Sequence, residues 1–70
     1  MKYYSYRGDE DKVIEWLRDN LAYHRLSLSG RSASIIVDGR ETVSWGLVPR
    51  ANTAYILRDE DAVFFTLRWS

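Results

Sequence analysis

The chain has 70 residues with ten basic and ten acidic side chains, so its formal net charge at pH 7 is zero. A balanced charge disfavours proteins that collect nucleic acid or anionic membrane through a strong electric field, and it equally disfavours DNA mimics. The chain has no cysteine and one histidine, which excludes disulfides, thiolate metal sites, cysteine nucleophiles and a multi-histidine metal site within one chain. We therefore expect no metal and no cofactor.

Seventy residues predict a single compact domain, residues 1–70, whose core alone supplies only about 3–5 kcal/mol of stability. Since disulfides and metals are excluded, the remaining sources of stability are packing of the ten aromatic residues and self-association as a homodimer. No apolar run approaches the roughly 20 residues of a membrane-spanning helix, and the N-terminus lacks the apolar core of a signal peptide. We expect a soluble cytoplasmic protein without a membrane partner.

The first elements in the chain are a short strand and an amphipathic helix. Residues Lys2 to Tyr6 are aromatic-rich and end before Gly8, as a strand does. Asp9 is a good N-cap for the run Lys12 to His24, and the acidic residues beside it suit the positive end of a helix dipole. The helical period of this run gives one apolar stripe, with Trp16 at its edge: Val13, Ile14, Leu17 and Leu21.

The middle of the chain predicts a loop or short strand followed by a hairpin. Leu26 to Leu28 fits either a short strand or a loop over the core, and the alternation with serine favours the strand. Ala33 to Val48 predicts a hairpin around Asp38-Gly39. We expect an odd-numbered loop with a glycine bulge rather than a tight type I′ turn, because that register gathers the odd-numbered apolar residues on one face. Those residues are Ala33, Ile35, Val37, Val43, Trp45 and Leu47.

The last third of the chain, Ala54 to Trp69, predicts a second hairpin whose turn is Asp59-Glu60-Asp61. An odd loop here pairs Ile56 with Phe64. On this interpretation the odd-numbered residues form the core face of the sheet: Tyr55, Leu57, Val63, Phe65, Leu67 and Trp69.

These elements predict an α+β fold with two layers, in the order β-α-β-β-β-β. One amphipathic helix covers the odd-numbered face of a mostly antiparallel sheet of four to five strands. The position of the first strand is open between two alternatives, beside the last strand or parallel to the strand that follows the helix.

Evidence for an enzyme is weak. A lone histidine near a helix end, such as His24, is usually a dipole partner or a packed surface residue. The two Asp-Glu-Asp clusters are explained by helix capping and by a solvated turn, and neither has the spacing of a calcium loop. We expect a non-enzymatic protein without catalytic residues.

The even-numbered sheet face is more apolar than a solvated surface requires, and arginines lie around it. It predicts a protein-binding site, in which the chain occupies a partner's surface as a compact inhibitor or accessory protein of the kind that phages and mobile elements encode. The alternative is a single-stranded nucleic-acid-binding domain that uses the same face to stack bases beside arginines. The expected site residues are Ile36, Arg40, Ile56, Arg58, Phe64, Thr66 and Arg68.

Overall fold

A computed structural model describes residues 2–48 and 50–70 and has the expected α+β class. In this part of the chain, five antiparallel strands form one sheet in the order β1-β5-β4-β3-β2. The elements in chain order are β1 (Tyr3–Ser5), α1 (Glu10–Asn20), β2 (Arg25–Leu26), β3 (Ser32–Val37), β4 (Arg40–Val48), β5 (Thr53–Ile56) and α2 (Asp59–Trp69).

Helix α1 is confirmed, although it ends at Asn20 rather than at His24. Asp9 is its N-cap, because its side chain accepts a hydrogen bond from the backbone N–H of Asp11 at 3.0 Å. Val13, Ile14 and Leu17 are buried along one side, as their spacing predicts. The strand expected near Leu26 is also present, but it covers only Arg25–Leu26.

The expected final strand is wrong, because residues Asp59–Trp69 form helix α2. The chain therefore has the order β-α-β-β-β-β-α, and two helices cover the sheet instead of one. Ala62, Phe65 and Trp69 are the buried residues of α2, a spacing of three and four that belongs to a helix and not to a strand. Strand β1 pairs with Thr53–Ile56, which is consequently the last strand of the chain.

The register of the first hairpin also differs from the expectation. Val37 pairs with Arg40 across a tight turn of Asp38 and Gly39, and both turn residues have positive φ (52° and 78°), as a type I′ turn requires. A β-bulge restores the core register further along. Ser34 pairs with Val43 but Ala33 pairs with Trp45, so Ser44 is the extra residue. Val43 consequently faces away from the core.

The faces of β5 are the reverse of those expected. The register sets Leu47 opposite Ala54 and Trp45 opposite Ile56, so odd-numbered residues of β4 share a face with even-numbered residues of β5. Ala54 and Ile56 are fully buried, whereas Tyr55 lies on the opposite face with Tyr3. The register between β4 and β5 sets this parity, and an apolar pattern within β5 alone does not determine it.

The core lies between the sheet and the two helices. The largest fully buried side chains in the described residues include Trp45, Phe65 and Leu17, one each from the sheet, α2 and α1. The ring of Trp16 on α1 packs edge-on against Phe65 and Trp69 of α2, with centroids 6.0 and 6.3 Å apart. Both helices lie on the same face of the sheet, and no other element of residues 2–48 and 50–70 covers the opposite face.

Candidate functional site: the outer surface of helix α2

Helix α2 forms because its first turn suits a helix N-terminus and its apolar residues can bury one side. Asp59, Glu60 and Asp61 place negative charge where the helix dipole favours it. The N-cap is Arg58, which makes no side-chain capping hydrogen bond. Burial of Phe65 and Trp69 against the sheet and α1 therefore contributes more to holding α2 than its cap does.

The side of α2 that faces solvent is apolar. Leu67 is 82% exposed, Val63 is 61% exposed and Phe64 is 47% exposed. Val63 and Leu67 are four residues apart and Phe64 lies beside them, so the three side chains form one continuous patch. We call Val63, Phe64 and Leu67 the outer α2 surface.

The outer α2 surface continues onto neighbouring elements on both sides. On the α1 side, the rings of Phe64 and Trp16 are in contact, with centroids 5.1 Å apart. On the β1 side, an open groove of about 370 Å³ runs between Tyr4 and α2, and Thr66 lines it together with Val63 and Leu67. The apolar patch is thus broader than three side chains.

The two ends of the outer α2 surface carry opposite charges. Asp59 and Glu60 lie at the N-terminal end, with side chains 92% and 67% exposed. Arg68 lies at the C-terminal end, with its guanidinium 4.1 Å from the centroid of the Trp69 ring. Among the described residues, Arg68 has no carboxylate within ion-pair distance.

Arg58 is occupied by acidic groups of the same helix. Its Nε donates to Glu60 Oε1 at 2.9 Å, and its Nη2 contacts the same oxygen. This hydrogen bond lowers the pKa of the Glu60 carboxyl and raises the pKa of the Arg58 guanidinium. Both side chains are exposed, at 43% and 67%, so the pair contributes little to the stability of the domain.

Asp61 lies in the same first turn but is largely withdrawn from solvent. Its side chain is 13% exposed, and Oδ2 lies 4.0 Å from Arg58 Nε, too far for a hydrogen bond. Burial raises the pKa of the Asp61 carboxyl, and Arg58 only partly opposes the rise.

The structure does not bring the seven expected site residues together. Ile56 is fully buried in the core, since β5 presents its even-numbered residues to the helices. Ile36 is 51% exposed on the open sheet face, and Arg40 begins β4 beside the hairpin turn. The other four belong to α2 or its cap: Arg58, Phe64, Thr66 and Arg68.

Sequence reasoning missed Val63 and Leu67 as surface residues, because a strand would place them in the core with Phe65. The signal that identifies them is the helical spacing of Ala62, Phe65 and Trp69 after an acidic first turn. On a helix with that buried side, Val63 and Leu67 must face solvent.

The open sheet face is a second, more polar surface. Tyr3 and Tyr55 stack edge-on with ring centroids 5.4 Å apart, and Val43 is 49% exposed. Ser34 lies between the apolar residues and donates a hydrogen bond to Glu41 at 2.8 Å. That hydrogen bond lowers the pKa of the Glu41 carboxyl, with the Arg25 charge acting in the same direction. Such a mixture is typical of a solvated sheet face.

Residues 2–48 and 50–70 contain no group of three or more histidine, cysteine or acidic side chains placed to hold a metal ion. His24 lies beyond the end of α1, and its backbone N–H donates to Ser34 O. In the same residues, neither helix is long and apolar enough to cross a membrane.

Comparisons with protein-family models, curated proteins and solved structures found no match for this chain. The function is therefore inferred from the chemistry of its surfaces.

Proposed function

We propose that this chain is a small non-enzymatic protein-binding module that holds its partner through the outer α2 surface. The observation that carries the proposal is the exposure of Leu67, Val63 and Phe64 on one side of a helix whose opposite side already fills the core. The fold does not require apolar residues there.

The surroundings of the patch have the anatomy of a protein interface. Interfaces combine an apolar centre, often aromatic, with a charged and polar rim. Here the centre includes the aromatic ring of Phe64 and is extended by Trp16, and the rim includes Glu60 and Arg68. An apolar helix side with anchors at i and i+4 is also the arrangement by which helices bind grooves or other helices. A compact inhibitor or accessory protein of a phage or mobile element is one role that suits such a module.

The single-stranded nucleic-acid alternative has less support. It needs aromatic and arginine side chains on one face. Arg58 is engaged by Glu60 and Arg40 lies on the sheet beside the hairpin turn, so of the three expected arginines only Arg68 lies on the same helix surface as the exposed ring of Phe64. Neutral net charge also provides little attraction for a phosphate backbone.

The proposal is tested with a matched pair of charge substitutions. Leu67→Asp places a carboxylate at the centre of the patch, whereas Leu28→Asp makes the same change at a leucine that is fully exposed in the β2–β3 loop. Proteins retained from host lysate by the wild type are identified by mass spectrometry, purified, and measured for binding to each variant. We expect Leu67→Asp to weaken binding about 30-fold or more, as at an interface hot spot, and Leu28→Asp to leave it unchanged.

Circular dichroism and urea unfolding verify that both variants are folded. If a folded Leu67→Asp variant binds every identified partner as tightly as the wild type, the outer α2 surface is not the binding site and the proposal is wrong.

A further inference from the structure

We infer that the partner of the outer α2 surface is a second copy of this chain, with the two α2 helices packed antiparallel about a two-fold axis. This inference rests on the proposed function, because it names the occupant of the same surface. It follows from the distribution of charge along α2 and from the position of the apolar residues between the charged ends.

The apolar residues lie at the middle of the helix, where such an axis would pass. Phe64 is the central residue of Asp59–Trp69, with Val63 before it and Leu67 three residues after it. Antiparallel packing about an axis near Phe64 brings Val63 of one copy close to Leu67 of the other, and the reverse contact follows from symmetry. The patch is thus complementary to itself.

The charges select the antiparallel orientation. In a parallel pair, Glu60 would face Glu60 and Arg68 would face Arg68, and both contacts are repulsive. In an antiparallel pair, Arg68 of each copy comes close to Glu60 of the other, because these residues are equally distant from Phe64 on opposite sides. The two helix dipoles also oppose each other in this arrangement.

Arg68 is available for this contact. Its guanidinium is stacked on Trp69 and has no acidic partner in residues 2–48 and 50–70. Glu60 shares its carboxylate with Arg58, yet its side chain is 67% exposed and can accept a second donor. A network of three charges would result at each end of the paired helices.

The size of the molecule sets the area that a dimer interface can bury. A standard interface takes roughly 800 Å² from each partner, about one-sixth of the folded surface of 4865 Å². The 11 residues of α2 extend roughly 16 Å at 1.5 Å per residue. This length is comparable to the 20 and 25 Å shorter dimensions of the domain. The groove beside Tyr4 and the edge of Trp16 add to the area that α2 itself can bury against a second copy.

Analytical ultracentrifugation over a concentration series tests the inference with the charge-reversal variants Glu60→Arg and Arg68→Glu. We expect the wild type to reach the dimer mass as concentration rises. Each single variant should dimerise about tenfold or more weakly, because each introduces like charges at both ends of the antiparallel pair. An equimolar mixture of the two variants should form a heterodimer, and the double variant Glu60→Arg/Arg68→Glu should regain self-association. Leu67→Asp should be monomeric, and Leu28→Asp should match the wild type.

Glu60→Arg also removes the contact with Arg58, and the double variant does not restore that contact. Recovery in the double variant therefore reports the contact between copies and not the one within a copy. Urea unfolding of each variant in dilute solution verifies that the monomer remains folded.

A wild type that sediments as a monomer throughout would overturn the inference, as would single variants that dimerise like the wild type. If the wild type is monomeric but Leu67→Asp still loses an identified partner that Leu28→Asp retains, the proposed function stands and only the identity of the partner is wrong. If the wild type is monomeric and Leu67→Asp binds every other protein as the wild type does, both are wrong.

Discussion

The two helices of this domain start at the same three-residue sequence, Asp-Glu-Asp, and then diverge. In α1 the first of these residues, Asp9, is the N-cap, whereas in α2 all three lie within the helix, and each helix has 11 residues. Helix α1 has a side-chain cap at Asp9 and polar residues on its outer side, whereas α2 has no side-chain cap and exposes apolar residues there. The fold needs one apolar side from each helix. The second apolar side of α2 is therefore not explained by folding, and it is the surface for which we propose a function.

The largest expected effect separates the two sides of α2. Phe65 is fully buried, so Phe65→Ala should destabilise the domain by about 3–5 kcal/mol. That loss is similar to the whole stability expected of a core this small, so about half of the molecules should be unfolded at 25 °C without urea. Leu67→Ala, on the exposed side, should change the free energy of unfolding by no more than about 0.5 kcal/mol.

Urea unfolding followed by circular dichroism measures both variants, in dilute solution where association does not contribute. A loss for Leu67→Ala as large as that for Phe65→Ala would mean that the outer α2 surface is part of the core, and the distinction between the two sides would fail.

The contrast between the helices also explains which parts of the fold the sequence predicts. Helix α1 is predictable because a single apolar stripe follows a good N-cap. Its apolar residues fit the helical period and do not fit the alternation of a strand. In α2 the solvent side is apolar too, and both the alternation Val63, Phe65, Leu67 and the helical spacing Ala62, Phe65, Trp69 fit the same residues. The exposed apolar residues of the outer α2 surface thus obscure the helical period of the buried ones.

Other differences arise from contacts that local patterns do not contain. The face of Ile56 depends on how β5 aligns with β4, and the bulge at Ser44 depends on fitting Ala33 opposite Trp45 after a tight turn. The alignment of β5 and the bulge in β4 both change which residues face solvent, and neither changes the α+β class. For this reason the class and the first helix are predictable from the sequence, whereas the site residues require the register.

A smaller effect concerns the start of the two helices. Asp9→Ala removes the hydrogen bond to the Asp11 N–H and should cost about 0.5–2 kcal/mol of unfolding free energy. Asp59→Ala removes an exposed acidic residue that makes no capping hydrogen bond and whose Oδ1 lies 3.7 Å from Lys2 Nζ. The loss of unfolding free energy should therefore be clearly smaller than for Asp9→Ala.

Urea unfolding at neutral pH compares the two alanine variants directly. Equal losses would mean that the Asp9 cap contributes nothing specific and that the difference between the two helix starts has no energetic consequence.

The smallest expected effect is a pH dependence confined to α2. Burial raises the pKa of the Asp61 carboxyl, so this carboxyl binds its proton more tightly in the folded state than in the unfolded chain. The contribution of Asp61 to stability is therefore greatest at low pH, where the carboxyl is protonated in both states. This contribution falls as pH rises through the ordinary aspartate range towards the raised pKa of the folded state.

Asp61→Asn removes this titration, so the unfolding free energy of the variant should rise relative to that of the wild type between acidic and neutral pH. Asp59→Asn, at a residue 92% exposed in the same turn, is the control. Urea titrations at several pH values measure both differences. A difference between Asp61→Asn and wild type that is constant with pH, or that moves in the opposite direction, would mean that the Asp61 carboxylate is solvated or paired well enough to ionise freely in the folded protein. The two Asp-Glu-Asp turns would then differ only in their caps.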